Sequence, residues 1–482
     1  MTKLEVKVKK NNKKGSALAY ALVIIAIVMI ILVSMLGYVV SQLKFSFNRA
    51  EREKAFQIAE AGAYYYRWYL AYETSGKTPL DLENFWQGGT ALGTSVPYPE
   101  IDYGGIGKYK LEVTAPQPGS TIVIVKSTGW TYKEPNTKRI VQVRFRRPSW
   151  SEYVMLSESF INVGSQAEIY GKMHSNTGIR FDGKAYNVIS SLPYSFDDPS
   201  HGSHSLEFGV HTHDTPTDPL APDYPWPEGT VPDRADVFTA GREFPVPEVS
   251  FSGVSSSFTT MESAANGGHG QYFDSTGFGR RIILKTNGTF DICTVNSYQS
   301  GSFAISSHNG YKKSSGSGTC DTCSGQCLSN YSIPDNGVIY VNDNIWVEGT
   351  INDKRVTIAA GGSQSDIYIG MNNIRYTNYD GSDIIGLAAR RDITVIKDCP
   401  DNFIVDAALI AQSGQVGICQ NFTSKNSITL NGALASFLQP FMVHGSSGFG
   451  ERTYNFDNNL LYFPPPYFPT GTEYSIDLWE EL

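Results

Sequence analysis

The chain has 482 residues, enough for roughly two to four domains or for one long repetitive domain. Charged residues are 18% of the sequence, too many for a protein that crosses a membrane several times, and 12% aromatic residues argue against wholesale disorder. The net charge is −8, and because residues 1–15 carry +5, the remainder carries −13. Such an acidic body excludes a general nucleic-acid binder, which needs a basic surface.

A basic segment and a long apolar run open the chain. Six lysines lie between Lys3 and Lys14, and no residue from Ser16 to Leu43 is charged. As a helix, this run is about 42 Å long, which is enough to cross a ~30 Å hydrocarbon core and too long for a removable secretory signal. The lysines should stay in the cytoplasm. The pattern predicts a single pass through the cytoplasmic membrane, with the bulk of the chain outside.

The helical pattern continues beyond the apolar run. No proline occurs before Pro79, and apolar residues recur at spacings of three and four through residue 70. One helix over about 16–73 would be ~87 Å long and would need a partner along both halves. The first half suits lipid or a helical bundle, whereas the second half requires a sheet.

The run KKGSALAYALVIIAIVMIILVSMLGYVV, followed by AFQIAEAGAYYY, resembles type IV pilins and pseudopilins, most closely the PilX-type minor pilins. In that family, a prepilin peptidase cuts after the glycine that precedes the apolar helix, and the new amino terminus is N-methylated. The resemblance therefore implies a leader at 1–15, cleavage between Gly15 and Ser16, and a transmembrane or filament-core helix at 16–43. It implies three partners: the peptidase, other pilins through the N-terminal helix, and the membrane.

One position departs from the family pattern. Most pilins have glutamate at the fifth mature position, where its carboxylate is thought to neutralise the amino terminus of a neighbouring subunit; here that position is Tyr20. A buried unpaired ammonium is costly, so a subunit without this glutamate suits a filament tip or a rare position. The competing interpretation is an ordinary single-pass anchor with no filament.

Residues 44–148 are predicted to form a pilin-like α+β module. Strands are expected at 109–113 and 141–145, where apolar residues alternate with charged or polar ones, and at the run 121–125; turn residues separate the three runs. A three-stranded antiparallel sheet would cover the second half of the long helix.

Residues 149–482 are predicted to form an all-β domain, a parallel β-helix. Short apolar runs alternate with Gly, Asn and Asp turns. A β-sandwich is the alternative, but few two-residue hairpin signals occur. A loop-rich insertion is expected at about 186–335, with a short helix near Ser257–Ala265. The predicted strands after it are 338–341, 345–349, 356–360, 367–371, 384–389, 393–396, 403–411, 415–418 and 427–435. The segment Pro464–Pro469 is similar to a terminal segment of PilX-type proteins.

All six cysteines lie in the last 200 residues, which suits disulfides in an exported domain. Cys293, Cys320, Cys323 and Cys327 allow two bridges of undetermined pairing, with a zinc site or free thiols as the alternatives. Cys399 and Cys419 are 20 residues apart, about one coil. A bridge between them would staple adjacent coils and add on the order of 3 kcal/mol.

Two further clusters are weaker candidates for ion binding. H-x-x-H and H-x-H spacings can bind a transition metal, but a polar loop is the preferred interpretation, and no cofactor is expected. The four histidines concerned are His201, His204, His211 and His213. The turn Asp380–Asp383 is interpreted as an Asx turn rather than a calcium site.

No pattern of residues indicates catalysis. A polysaccharide-cleaving β-helix needs converging acidic or basic groups. In this chain the acidic residues of the predicted domain are scattered, at Asp291, Asp383, Asp392, Asp398 and Asp406. Several aromatic residues could stack on a glycan, although a structural role is preferred for Tyr376, Tyr379, Tyr462, Tyr467 and Trp479.

The sequence therefore predicts a non-enzymatic minor pilin or pilus-tip pseudopilin, which displays a β-helix at the pilus or cell surface for adhesion or assembly initiation. A surface or glycan could be its ligand. The alternative is a membrane-anchored β-helical carbohydrate-active enzyme. A K-class secretion pseudopilin would instead carry a mostly helical insertion.

Overall fold

The computed structural model describes residues 14–75, 77, 79–116, 120–200, 205–251, 254–310, 328–470 and 474–482. Helix α1 spans Lys14–Thr74 and helix α2 spans Pro79–Gln87. The single long helix predicted from the spacing of apolar residues is confirmed. It continues without a break because no proline interrupts its hydrogen bonds.

Four strands follow α2: β1 (Glu100–Tyr103), β2 (Gly107–Thr114), β3 (Ile122–Thr131) and β4 (Arg139–Arg146). They pair antiparallel in chain order, and this group is called the first sheet. The three predicted strands are confirmed, and β1 is an addition to them. In β2 the apolar side chains of Tyr109, Leu111 and Val113 are buried, whereas the intervening charged residues are half-buried.

The next part of the chain contains a short 3-10 turn at Trp150–Glu152 and eleven short strands. These strands are β5 (Met155–Ser157), β6 (Ile161–Val163), β7 (Ala167–Tyr170), β8 (Met173–Ser175), β9 (Ile179–Phe181), β10 (Lys184–Ala185), β11 (Ile189–Ser191), β12 (Ser195–Asp197), β13 (Leu206–Phe208), β14 (Val210–His211) and β15 (Arg242–Glu243).

Helix α3 spans Val254–Asn266, where the sequence predicts a short helix. Sixteen strands follow it. They are β16 (Gln271–Phe273), β17 (Arg280–Leu284), β18 (Thr289–Tyr298), β19 (Ile305–Gly310), β20 (Leu328–Ser332), β21 (Val338–Val341), β22 (Ile345–Ile351), β23 (Arg355–Ala360), β24 (Ile367–Tyr376), β25 (Ile384–Ala389), β26 (Ile393–Val395), β27 (Asn402–Ala411), β28 (Val416–Ile418), β29 (Lys425–Ser436), β30 (Val443–His444) and β31 (Ser447–Phe456). The nine strands predicted between 338 and 435 are confirmed.

The last strand, β32 (Ser475–Glu481), follows a 3-10 turn at Asn458–Leu461 and pairs antiparallel with β4. The prediction that all of 149–482 belongs to the second region therefore needs correction, since its end returns to the first sheet. Strand β32 satisfies the backbone groups of β4 that would otherwise form an open sheet edge. The second region is thus an insertion between β4 and β32, attached by both of its ends.

Parallel pairing dominates the second region, here called the parallel stack (residues 155–456). One face runs β16, β21, β23, β25, β27, β29, β5, β8, β11, β15, with every neighbour parallel. A second face runs β17, β22, β24, β26, β28. A third runs from β24 through β27, β29, β31 and β7 to β10.

The chain enters this stack in its middle. Strand β5 lies beside β29, so Leu156 pairs with Ala435. The chain first builds one end of the stack as far as β15, then passes through α3 to the other end at β16, and builds back towards β5. The sequence predicts a loop-rich insertion at about 186–335. The structure shows more than loops there, because β16 and β17 begin the stack within this segment. Aliphatic side chains in register explain the stacking; a buried column comprises Ile339, Ile358, Leu387, Leu409 and Leu434.

The outer side of the first face is also covered. Phe258 and Met261 of α3 pack against Val338 and Tyr340 of β21. Phe468, from the proline-rich segment Pro464–Pro469, joins the same apolar cluster. That segment serves here to cover the stack.

Candidate functional site: the apolar helix and a buried histidine cluster

Helix α1 has two halves with different surroundings. Side chains from residue 17 to residue 50 are exposed on every face, and this half is long and apolar enough to cross a membrane. From Glu51 onward one face is buried against the first sheet, with Ala55, Ala59, Ala63 and Tyr66 fully buried. The first half is therefore a candidate membrane anchor, and the second half holds the folded domain.

The predicted processing residues lie at the beginning of this helix. Helix α1 begins at Lys14, so the Gly15–Ser16 peptide bond lies within its first turn, and residues 1–13 of the predicted leader fall outside the described residues. Tyr20 is 71% exposed. The first carboxylate after Ser16 is that of Glu51, which is buried and accepts a hydrogen bond from Lys54 at 2.8 Å. No acidic side chain of this helix is thus available near its amino terminus.

Residues 14–63 match the PilX N-terminal family. This match supports a PilX-type minor pilin. Among solved structures, the chain is similar to the competence-associated pilin ComZ from Thermus thermophilus, with 11% identity over 90% of this chain and 97% of that chain and a TM-score of 0.31. No curated protein matches the chain. The PilX-type segment covers the exposed half of α1 and the start of its buried half.

The second locus is a histidine cluster on the 186–335 segment. The side chains of Asp198, His211 and His213 offer ligand atoms that all lie within 4.8 Å of one another. Asp198 and His211 are fully buried, and His213 is half-buried. The H-x-H spacing places both rings on one side of the extended chain at β14, because side chains two residues apart share a face. His201 and His204 lie outside the described residues.

Asp198 is the member that the sequence analysis missed. It follows β12 directly and lies 13 residues before His211, a separation with no periodic signal. One carboxylate oxygen, Oδ1, accepts hydrogen bonds from the backbone N–H and the hydroxyl of Ser200, at 2.8 and 2.6 Å. The other oxygen, Oδ2, lies 3.4 Å from Nε2 of His211. Burial lowers the pKa of His211 to about 4, although the charge of Asp198 opposes this shift.

Two carboxylates hold the backbone of the cluster in place. Asp182 accepts a hydrogen bond from the backbone N–H of His213 at 2.7 Å. Asp218 accepts one from the backbone N–H of Thr212 at 3.1 Å and pairs with Arg242. The backbone that carries the two rings is thus held by polar contacts to Asp182 and Asp218.

The cysteines divide into two groups. Cys293 is disulfide-bonded, and Cys320, Cys323 and Cys327 lie outside the described residues. Cys399 and Cys419 are both free and buried, so the bridge expected between them is not formed in the structure. Both belong to the apolar core of the stack, and burial raises the pKa of the Cys399 thiol to about 12. These two residues contribute as small apolar side chains.

Four of the five acidic residues considered for catalysis are bound locally. Asp291 pairs with Lys285, and Asp392 accepts the backbone N–H of Gln415 at 2.8 Å. Asp383 accepts three backbone N–H groups, and Asp406 accepts side-chain and backbone donors from neighbouring strands. Asp398 is exposed. The Asx turn at Asp380 is confirmed, because its carboxylate accepts the backbone N–H of Ser382.

The nominated aromatic residues mostly serve packing. Tyr376 is buried, and Tyr379 donates its hydroxyl hydrogen to Asp406 at 2.6 Å. The ring of Tyr462 lies under the guanidinium of Arg144 at 4.8 Å, and the ring of Trp479 lies 5.3 Å from that of Tyr64 on α1. Tyr467 lines a cavity of about 510 Å³ between the first sheet and the parallel stack.

Proposed function

We propose that this protein is a minor pilin at the tip of a type IV pilus-like filament. The observation that carries the proposal is the PilX-type segment at 14–63, in which an exposed apolar half-helix continues into a half-helix packed on a sheet. A prepilin peptidase would remove residues 1–15. Segment 16–43 would first hold the protein in the cytoplasmic membrane and then pack among the helices of other pilins.

A tip position is supported by Tyr20. Within a shaft, each subunit must accommodate the positively charged amino terminus of its neighbour, and a tyrosine supplies no compensating charge. A terminal subunit avoids this cost, because no further subunit is added beyond it. A second reason is the large size of the parallel stack, which is inserted between β4 and β32. In a shaft, many copies of one compact subunit pack closely against each other.

At the tip, the parallel stack would be displayed away from the membrane. We interpret its three parallel faces as a parallel β-helix, a rigid scaffold that can present long loops. Its role would be adhesion to a surface or glycan, or initiation of filament assembly. The local bonds of Asp291, Asp383, Asp392 and Asp406 favour such a structural role over polysaccharide cleavage.

The first prediction concerns processing at Gly15. In membranes from a host with its prepilin peptidase, the mature chain is expected to begin at Ser16 and to carry one N-methyl group, as measured by intact mass and N-terminal sequencing. The substitution Gly15→Phe is expected to prevent cleavage, so that the chain still begins at Met1, because a bulky side chain blocks the peptidase subsite. Gly37→Phe is the matched control and should be processed normally, since its Cβ would meet no atom within 4 Å.

An intact Met1 in wild-type protein from a peptidase-positive host would remove the pilin proposal. Immunogold labelling of the stack then tests position on the filament. Gold at filament ends supports the tip, whereas gold along the filament contradicts it.

A further inference from the structure

We propose that Asp198, His211 and His213 form a binding site for one divalent transition-metal ion of the zinc class. Imidazole nitrogen and carboxylate oxygen are the ligand atoms that Zn²⁺ takes at about 2.0–2.2 Å. Two ligands at that distance with a tetrahedral angle lie roughly 3.4 Å apart. The distance between Oδ2 of Asp198 and Nε2 of His211 is 3.4 Å.

The hydrogen bonds at this site leave a place for a cation. Nδ1 of His211 lies 3.3 Å from the carbonyl oxygen of Phe208, and because a carbonyl only accepts, Nδ1 carries the hydrogen. In the neutral ring, Nε2 then presents its lone pair to Oδ2 of Asp198. Neither atom has a hydrogen-bond partner among the described residues. Two buried acceptors that face each other repel unless a cation or a proton lies between them.

The surroundings of the three side chains fit a fixed metal site. Ser200 holds the other oxygen of Asp198, and the Phe208 carbonyl orients the ring of His211, which are the contacts that typically orient metal ligands. Arg180, the nearby cation, is paired with Asp182 at 2.8 Å. Three protein ligands leave one tetrahedral position, which water takes in sites of this kind.

A bound ion would join two different sheets of the second region. Asp198 follows β12, which pairs with β13 in a short antiparallel hairpin, whereas His211 belongs to β14, which pairs with β9 of the stack. The metal would therefore fasten this hairpin to the sheet that contains β14 and β9. The inference concerns the parallel stack alone, so it holds whether or not the chain enters a filament.

The test uses the full chain in detergent, stripped with a chelator and titrated with ZnCl₂ by calorimetry. One Zn²⁺ per chain is expected, with a Kd in the micromolar range or below. His213→Ala and the near-isosteric Asp198→Asn should each weaken binding about tenfold or more. His444→Ala removes an exposed histidine away from the site and should bind as wild type. Unchanged far- and near-ultraviolet circular dichroism would show that the variants fold.

Cobalt distinguishes this site from the cysteines. Co²⁺ bound by nitrogen and oxygen gives visible d–d bands only, whereas a thiolate ligand adds intense near-ultraviolet charge transfer. Visible bands that are lost in His213→Ala support the proposal. Thiolate bands, or equal binding by His213→Ala and His444→Ala, would overturn it. Absence of binding would also overturn it and would leave a histidine–carboxylate ion pair only.

Discussion

Replacing Gly129 with alanine is expected to separate helix α1 from the first sheet and to destabilise that contact by about 3 kcal/mol. A Cβ at this position in β3 would lie 2.4 Å from the carbonyl oxygen of Ala55 and 2.4 Å from the backbone nitrogen of Ala59. Both atoms belong to the helix backbone, which cannot rotate away as a side chain can. The whole helix would have to move outward.

The expected loss of stability is opposite in sign to the usual effect of a glycine-to-alanine substitution, so the two outcomes are easy to distinguish. In an ordinary strand, glycine-to-alanine stabilises by roughly 0.5–1 kcal/mol, because alanine loses less backbone freedom on folding. Gly164→Ala is the matched control: its Cβ would meet only the end of the Arg452 side chain, at 3.4 Å. That variant should be neutral or slightly stabilised.

Hydrogen exchange read by mass spectrometry measures the expected change where it occurs. Amides of β3 and of the helix from 51 to 74 should exchange faster in Gly129→Ala, while the amides of the parallel stack keep their protection. A single melting temperature would average over the two regions, so it is a poorer measurement. Unchanged β3 protection would contradict the close contact between helix and sheet. For the proposed pilin, a loosened helix should also lower the amount of the Gly129→Ala variant that is recovered in purified filaments.

The sequence predicts those elements whose signal is local. The strands between 338 and 435 follow short apolar runs bounded by Gly, Asn and Asp, and the long helix follows an uninterrupted spacing of apolar residues. Each of these signals is carried by residues that lie close together in the sequence. The same holds for the PilX-type segment, which carries its pattern in consecutive residues.

Contacts between distant parts of the chain could not be predicted in this way. Nothing near Leu156 indicates pairing with Ala435, and nothing near Ser475 indicates pairing with Arg146. The cluster of Asp198, His211 and His213 shows the same limit, because the H-x-H spacing is visible in the sequence and the contribution of Asp198 is not. A strand or a ligand brought in from another segment leaves no periodic pattern, since its partner is chosen by the packing of the whole stack.

Asp406→Ala is expected to destabilise the parallel stack by about 3 kcal/mol, more than removal of an exposed charge next to the same strand. The carboxylate is fully buried. Its Oδ2 accepts hydrogen bonds from Nε of Arg375 and the backbone N–H of Tyr376, both at 3.0 Å, and from the hydroxyl of Tyr379. Its Oδ1 accepts one from Asn431 at 2.7 Å. Alanine would leave these donors without an acceptor.

The matched control is Asp401→Ala, one residue before β27. Asp401 pairs with Lys425 at 3.1 Å, but its side chain is 71% exposed, so the loss should stay below about 1 kcal/mol. Hydrogen exchange of β24, β27 and β29 should therefore increase strongly in Asp406→Ala and little in Asp401→Ala. Equal exchange in the two variants would mean that the bonds of Asp406 do not hold the coils together. A buried carboxylate that can be removed without loss of stability would then have to be tested for catalysis.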